Sequence, residues 1–391
     1  MPKALVVGDL HLRGDGDPRP ARALAALLAR EPDATVVFAG DALDLAAEPV
    51  SAAGAAARRT LGSAPELSAA IAERASRGVR TVFVAGNHDA EVARDATTHA
   101  IRDALKLTVS DREHVLTAPW FHQLAGGAVH VEHGHVFDPD GAPTHPLSPV
   151  ARDDVGIAIL RRFIVPVEGH FLVAHNAEAP LPLLMRVLRT YGPRAPWVIG
   201  LYMKTAIGTW LSSGDAYPIE GDRAEGARRL EQYAAQVGLD HETLALLLEA
   251  HATPTRAHRT ATFLRLYLDR VIATTAVLSG TTMSAAGLAV GASAPVMAGV
   301  PLAAVGALAL SASILAGANR YRGRAERALA VGAERAADIT GARTVVLGHV
   351  HVDASGPRYR NTASFAFAPG HPYLVVEEDG TVERGYAVAT P

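Results

Sequence analysis

Short apolar runs alternate with longer amphipathic stretches over the first third of the chain. Residues 5–7, 35–38, 81–84 and 129–131 are rich in β-branched side chains and each closes on a glycine or a polar cluster, which predicts strands. Between them, residues 21–30, 53–77 and 91–105 carry Ala, Leu and Arg at helical spacing. This is the rhythm of a layered α/β sheet covered by helices. It breaks at Pro139-Asp140-Gly141 and the proline-rich stretch to Pro149, which read as a loop or boundary. Strand-like runs resume at 344–347, 359–362, 373–376 and 382–388. The pattern predicts a split α/β domain, residues 1–138 and 343–391, with a helical insertion at 139–342.

Inside the insertion the polarity changes. From residue 271 to residue 319 there is no Asp, Glu, Lys, Arg or His. That is room for two membrane helices of about 20 residues joined by a turn at 291–295. Arg265 and Arg270 precede the stretch and Arg320, Arg322 and Arg324 follow it, so the positive-inside tendency puts both ends of the hairpin in the cytoplasm. Gly287 and Gly291 form a small-xxx-small pair suited to close helix contact. The abundance of Ala, Gly, Ser and Thr, with Pro301 expected to interrupt the second helix, also suits a hairpin buried in a soluble cap or in a homo-oligomer interface. Residues 155–167 and 197–211, the latter with Trp197, Tyr202 and Trp210, read as membrane-interface segments or as ordinary core helices. The N-terminus runs directly into the first strand, without the apolar core and cleavage site of a secretory signal.

Charge and cysteine usage narrow the chemistry. With 37 Lys+Arg against 40 Asp+Glu in 391 residues, nothing predicts a phosphate-backbone footprint, and no nucleic-acid partner is expected. The chain has no Cys, so thiolate metal sites, disulfides and cysteine nucleophiles are excluded. Any metal must sit on His, Asp, Glu or Asn.

Such residues gather where predicted strands end: Gly8-Asp9-Leu10-His11, Gly40-Asp41-Ala42-Leu43-Asp44, Gly86-Asn87-His88-Asp89, His133-Gly134-His135 and Gly348-His349-Val350-His351. In α/β sheets, loops beyond the carboxyl ends of strands converge on the ligand crevice. Two Asp, four His and one Asn make an oxygen and nitrogen donor set suited to Mn, Fe, Zn or similar divalent ions. Seven ligands with one shared carboxylate make two sites, and a pair of ions about 3.5–4 Å apart activates water for in-line displacement at phosphorus.

The ordered set GDLH, GDALD, GNHD, HGH and GHVH resembles the calcineurin-like metallophosphoesterase superfamily over residues 1–138 and 343–391. The resemblance implies a four-layer α/β/β/α sandwich and two divalent metal ions, Mn2+ first among the candidates. Carried over by motif, it implies Asp9, His11 and His351 on one metal, Asn87, His133 and His349 on the other, and Asp41 bridging. It implies His88 as the histidine that steadies the phosphoryl oxygens and protonates the leaving alcohol, with Asp89 fixing its orientation. Asn361-Thr362-Ala363-Ser364 resembles the family's NTGS strand, with Ala363 replacing the glycine. A looser similarity runs to UDP-2,3-diacylglucosamine hydrolases, which usually have Arg where this chain has His88.

Simpler roles compete for some residues. Asp44 reads as a helix cap or as a site residue, His135 as a contact behind the ligands or on substrate, and His130 as a satisfied strand histidine. The expectation is a metal-dependent hydrolase of phosphate esters or anhydrides at the cytoplasmic membrane face, acting on a lipid-linked phosphate or pyrophosphate. The alternatives are a phosphatase or phosphodiesterase of a soluble nucleotide or phosphoprotein, and a non-catalytic membrane scaffold.

Overall fold

The computed structural model describes residues 3–148, 154–169, 180–217, 219–317 and 319–388; Pro149, the expected end of the proline-rich loop, lies outside them. The chain divides into two compact units, residues 1–161, 218–254 and 323–391, and residues 162–217 and 255–322. Three pieces of the segment expected as an insertion, 139–161, 218–254 and 323–342, thus belong to the first unit.

Ten strands occur among the described residues of the first unit: β1 (Ala4–Val7), β2 (Thr35–Ala39), β3 (Thr81–Val84), β4 (Val115–Ala118), β5 (Phe121–Leu124), β6 (Val129–Glu132), β7 (Thr344–Leu347), β8 (Tyr359–Asn361), β9 (Pro372–Val376) and β10 (Val382–Tyr386). They form a six-stranded sheet of order β10-β9-β1-β2-β3-β4 and a four-stranded sheet of order β5-β6-β7-β8. Strands β1 to β4 run parallel, with Val6 opposite Val37, Val37 opposite Val82 and Val82 opposite Leu116. Strands β6, β7 and β8 are likewise parallel, and each sheet carries antiparallel strands at one side.

Alternation along the strands sorts the side chains into three apolar layers. Leu5, Val7, Val36, Phe38 and Phe83 pack with Leu24, Leu28, Leu61 and Ile71 from the helices Arg19–Arg30, Ala53–Gly62 and Pro65–Ser76. Val6, Val37, Val82 and Val84 meet Val129, Val131 and Val346 between the sheets. Phe121, Val345, Leu347 and Tyr359 pack on Leu230, Leu244 and Leu329 from the helices Ile219–Val237, His241–Glu249 and Arg324–Thr340. The result is the expected helix, sheet, sheet, helix order. Parallel strands that end together deliver their following loops to one edge of the sandwich.

Residues 155–161 do not form a membrane-interface segment. Val155, Ile157, Ala158 and Leu160 are buried, and Arg161 donates to the Ala46 carbonyl and pairs with Glu91 at 3.4 Å. An arginine that reaches a carbonyl and a buried carboxylate can sit in an apolar run without facing lipid.

In the second unit, the helices Leu268–Ala289 and Ser293–Leu315 form the expected hairpin. Both are long and apolar enough to cross a membrane, and little of either is buried. Their contact differs from the expected glycine pair. Gly291 lies in the turn at φ 68°, whereas a Cβ on Gly280 would lie 2.5 Å from the Ala303 nitrogen and the Gly299 oxygen, and one on Gly306 2.8 Å from the Ala273 oxygen. Absent side chains let the backbones touch there. The second helix also continues through Pro301, at the loss of one backbone hydrogen bond. At the open end, Arg320 pairs with Asp269 at 2.9 Å, and Arg270 and Arg320 lie 4.7 and 4.9 Å from the Tyr267 ring centroid.

Candidate active site

The loops after β1 and β2 are paired to each other. The His11 amide donates to the Asp41 carbonyl at 2.8 Å, and Leu12 bridges Leu43 in parallel fashion. Five of the residues singled out from sequence sit in left-handed backbone: Asp9 (φ 53°), His11 (45°), Asp41 (51°), His349 (72°) and His351 (56°). That region is costly for any residue but glycine, and its clustering marks a site whose surroundings hold it in place.

The five loops meet. His11 and His351 bring their Nε2 atoms 3.1 Å apart, and His351 Nε2 lies 3.1 Å from Asp9 Oδ1. His133 Nε2 is 3.2 Å from Asp41 Oδ2 and 3.1 Å from Asn87 Oδ1. His11 Nε2 is 3.9 Å from both Asp9 Oδ1 and Asp41 Oδ2. The His349 amide donates to both Asp9 oxygens at 3.2 and 3.1 Å, and its ring centroid is 5.2 Å from that of His133. Asp9, Asp41 and His133 are buried. The backbone has made room for them: a Cβ on Gly86 would lie 2.1 Å from Asp41 Oδ1, and one on Gly348 2.6 Å from Asp9 Oδ2.

Electrostatics keep the carboxylates ionised. Burial works to raise both carboxyls, but the His133 and His88 rings hold Asp41 well below the usual carboxylate range, and His351 lowers Asp9. Burial works against the cationic form of His133 and His88, yet Asp41 pushes them up to about 9 and about 10, with Asp44 adding to the latter. For His11 burial prevails, helped by the His88 charge, and takes it down to about 4.

This donor set fits divalent cations. Three groups have ligand atoms within 4.8 Å of one another: Asp9, His11 and His351; His11, Asp41 and His88; Asp9, Asp41 and His133. Facing imidazole nitrogens flanked by buried carboxylates satisfy one another best through a positive charge.

The expected partner of His88 is corrected. Asp89 does not orient it; the Asp89 carboxylate accepts the amides of Asp41 (3.1 Å), Ala42 (2.8 Å), Leu43 (3.1 Å) and Gly86 (2.7 Å), tying the loops after β2 and β3 together. The His88 ring meets Asp44 instead, Nδ1 to Oδ1 at 3.0 Å, and its amide donates to Asp41 Oδ1 at 2.8 Å. Asp44 is therefore no helix cap. His135 is buried beside the His133 ring with its Nδ1 unpartnered, held well below its ordinary range by burial and by His133 and His349. His130 is not the satisfied strand histidine expected: it is fully buried, neither ring nitrogen makes a hydrogen bond, and Glu132 is 3.6 Å away.

Two residues at the site went unread in the sequence. Asp138 meets His349 Nε2 at 3.0 Å. Phe367, 53% exposed, stacks on His11 and leans on His351 at 5.4 Å between centroids. Asp138 sits among turn residues, where a carboxylate usually serves its own backbone, and nothing in the sequence pattern marked Phe367. Ala363 occupies left-handed backbone at φ 57°, the conformation that explains a glycine at this place in the resembled strand.

Two sheets faced by helices, with Asp and His side chains collected at their strand ends, define a metal-dependent hydrolase site. Residues 2–179 match the family model for calcineurin-like phosphoesterase, and the chain therefore carries a calcineurin-like phosphoesterase domain and is a metal-dependent phosphoester hydrolase. No curated protein and no solved structure matches the chain. The looser similarity to UDP-2,3-diacylglucosamine hydrolases gains no support from these findings.

Proposed function

We propose that the enzyme holds two divalent ions, Mn2+ in the first instance, with Asp9, His11 and His351 on one, Asn87, His133 and His349 on the other, and Asp41 shared. The supporting observation is the meeting of seven side-chain donors from five distant loops in one place, with His11 and His351 Nε2 only 3.1 Å apart. When bound, such a pair supplies an activated water and charge stabilisation at phosphorus. The remaining work falls to the chain. His88, hydrogen-bonded through Nδ1 to Asp44, keeps Nε2 for a proton that it gives to the leaving oxygen, and Asp44 sets the tautomer. Asp89 holds the loops after β2 and β3 in register.

The substrate reading follows from the hairpin. Helices of 22 and 23 residues span about 33–35 Å, enough for a hydrocarbon core of about 30 Å. Their outer faces carry Leu278, Leu288, Val305 and Leu308 with more than half of each exposed. The basic flanks favour both ends in the cytoplasm, and a membrane-held enzyme is what supports a lipid-linked phosphate or pyrophosphate as the substrate. Manganese-dependent hydrolysis of bis(p-nitrophenyl) phosphate should be lost in Asp41→Ala and His88→Ala; equal rates in all three proteins would end the two-metal reading. Carbonate washing should leave the protein in the membrane pellet, and release into the supernatant would return the substrate to the soluble phosphoesters.

A further inference from the structure

We propose that Asp138 is a positioning residue that commits His349 Nε2 to hydrogen bonding and so leaves Nδ1 as the nitrogen that takes a metal. The inference rests on the metal-ligand reading of His349. A carboxylate can only accept, so the 3.0 Å contact from His349 Nε2 to Asp138 Oδ2 puts the ring hydrogen on Nε2. In the neutral ring the lone pair is then on Nδ1.

The turn after Asp138 is built around that contact. Asp138 Oδ1 accepts the Asp140 amide at 3.1 Å, and its main-chain carbonyl accepts the amides of Gly141 (3.0 Å) and Ala142 (2.7 Å). Gly141 walls the ring, since a Cβ there would lie 3.0 Å from His349 Cε1 and 3.2 Å from Nε2. His349 is thus pinned twice, by its amide on Asp9 and by its ring on Asp138. His133 has the opposite arrangement: its Nδ1 meets the Ala39 carbonyl at 3.0 Å and its Nε2 is the inward atom. A carboxylate behind an imidazole makes it a stronger donor than a neutral carbonyl does, and losing such a partner typically costs about 10- to 100-fold in metal affinity. The Asn87/His133/His349 position is therefore the one whose occupancy depends on Asp138.

The test is calorimetric titration of Mn2+ into the metal-stripped full chain in detergent, with electron paramagnetic resonance counting coupled and isolated ions. Wild type should take two equivalents. Asp138→Ala should weaken one of them about 10- to 100-fold and leave the other unchanged, with the coupled signal replaced by that of a single ion. Asp138→Asn, which still accepts from Nε2, should fall between, and Gly141→Ala should disturb the same equivalent. Unchanged affinities in Asp138→Ala, or equal weakening of both, overturn the inference alone. A wild type that binds fewer than two equivalents overturns the reading beneath it. Should the alanine variant not fold, Asp138→Asn decides on the same criterion.

Discussion

Asp89→Asn should cost the fold, and Asp44→Asn should cost the chemistry. Each Asp89 oxygen accepts two amides, Asp41 and Gly86 on one, Ala42 and Leu43 on the other. Asparagine turns one oxygen into a donor, so two buried N–H groups lose their acceptor at about 1–3 kcal/mol each, about 2–6 kcal/mol together. Part of this is offset, because burial and the Asp41 charge already push the Asp89 carboxyl up to about 7. A net loss of a few kcal/mol remains. Asp44→Asn keeps an acceptor for His88 Nδ1 but removes one of the charges that raise His88. Its stability should stay within about 1 kcal/mol, while turnover falls about 10- to 100-fold.

The assays separate these outcomes. Hydrogen exchange of β1, β2 and β3 amides in the metal-stripped full chain reads local stability. Steady-state hydrolysis of phosphodiesters with good and poor leaving groups reads the acid, because a weakened proton donor hurts the poor leaving group more. Asp89→Asn with wild-type exchange and a leaving-group-dependent rate loss would refute the argument and return Asp89 to the place of His88's orienting carboxylate.

Gly280→Leu should loosen the hairpin: even the first carbon of the new side chain would stand 2.5 Å from two backbone atoms, an overpacking cost of about 1–3 kcal/mol. Thermal unfolding by circular dichroism in detergent should show a lower midpoint, with Leu288→Ala, at an exposed position, as the neutral control; an unchanged midpoint in Gly280→Leu would sink the close contact. Stability of the first unit should fall with acid. Burial takes His145 and His251 down to about 4, aided for His145 by Arg223, and the His145 Nδ1 accepts the Leu147 amide as a neutral ring does. With folded values below the unfolded 6.5, the stability they support is full above pH 6.5 and lost as pH falls through 4. His251→Phe should flatten a melting-temperature series across that window, and an equally steep series would show that the acid loss lies elsewhere.

Eight of the ten strands among the described residues were legible in the sequence, the edge strands β8 and β10 among them. β1, β2, β3 and β7 are buried on both faces and read as unbroken apolar runs. β4 and β5 escaped notice because half-buried polar positions interrupt their short apolar runs, Thr117 in one and His122 and Gln123 in the other. The segment 53–77, read as one helix, is two, broken before Pro65, which starts the second. The division into two sheets came from the resemblance, since alternation within a strand does not reveal which sheet it joins. Asp44 and Asp138 are a different case. Their partners are His88 and His349, 44 and 211 positions away, and only the folded loops bring those atoms together.

That limit also explains why the motifs themselves could be read. The glycines and the metal-ligand candidates are not independent choices, because the space beside a glycine in one motif is filled by a side chain from another. Gly86 yields to Asp41, Gly348 to Asp9, and Gly40, at φ 82°, to His133, whose ring would be 2.4 Å from a Cβ. Left-handed Asp9, Asp41 and His349 then carry strain of about 1–3 kcal/mol each, which only neighbours this tightly packed can hold. A substitution at Gly40, Gly86 or Gly348 therefore displaces a donor belonging to a different loop. Chemistry assembled in this interlocked way is written in the sequence as several short Gly-Asp and Gly-His words in order, whereas residues that steer a donor from behind, through a single hydrogen bond, leave no such word.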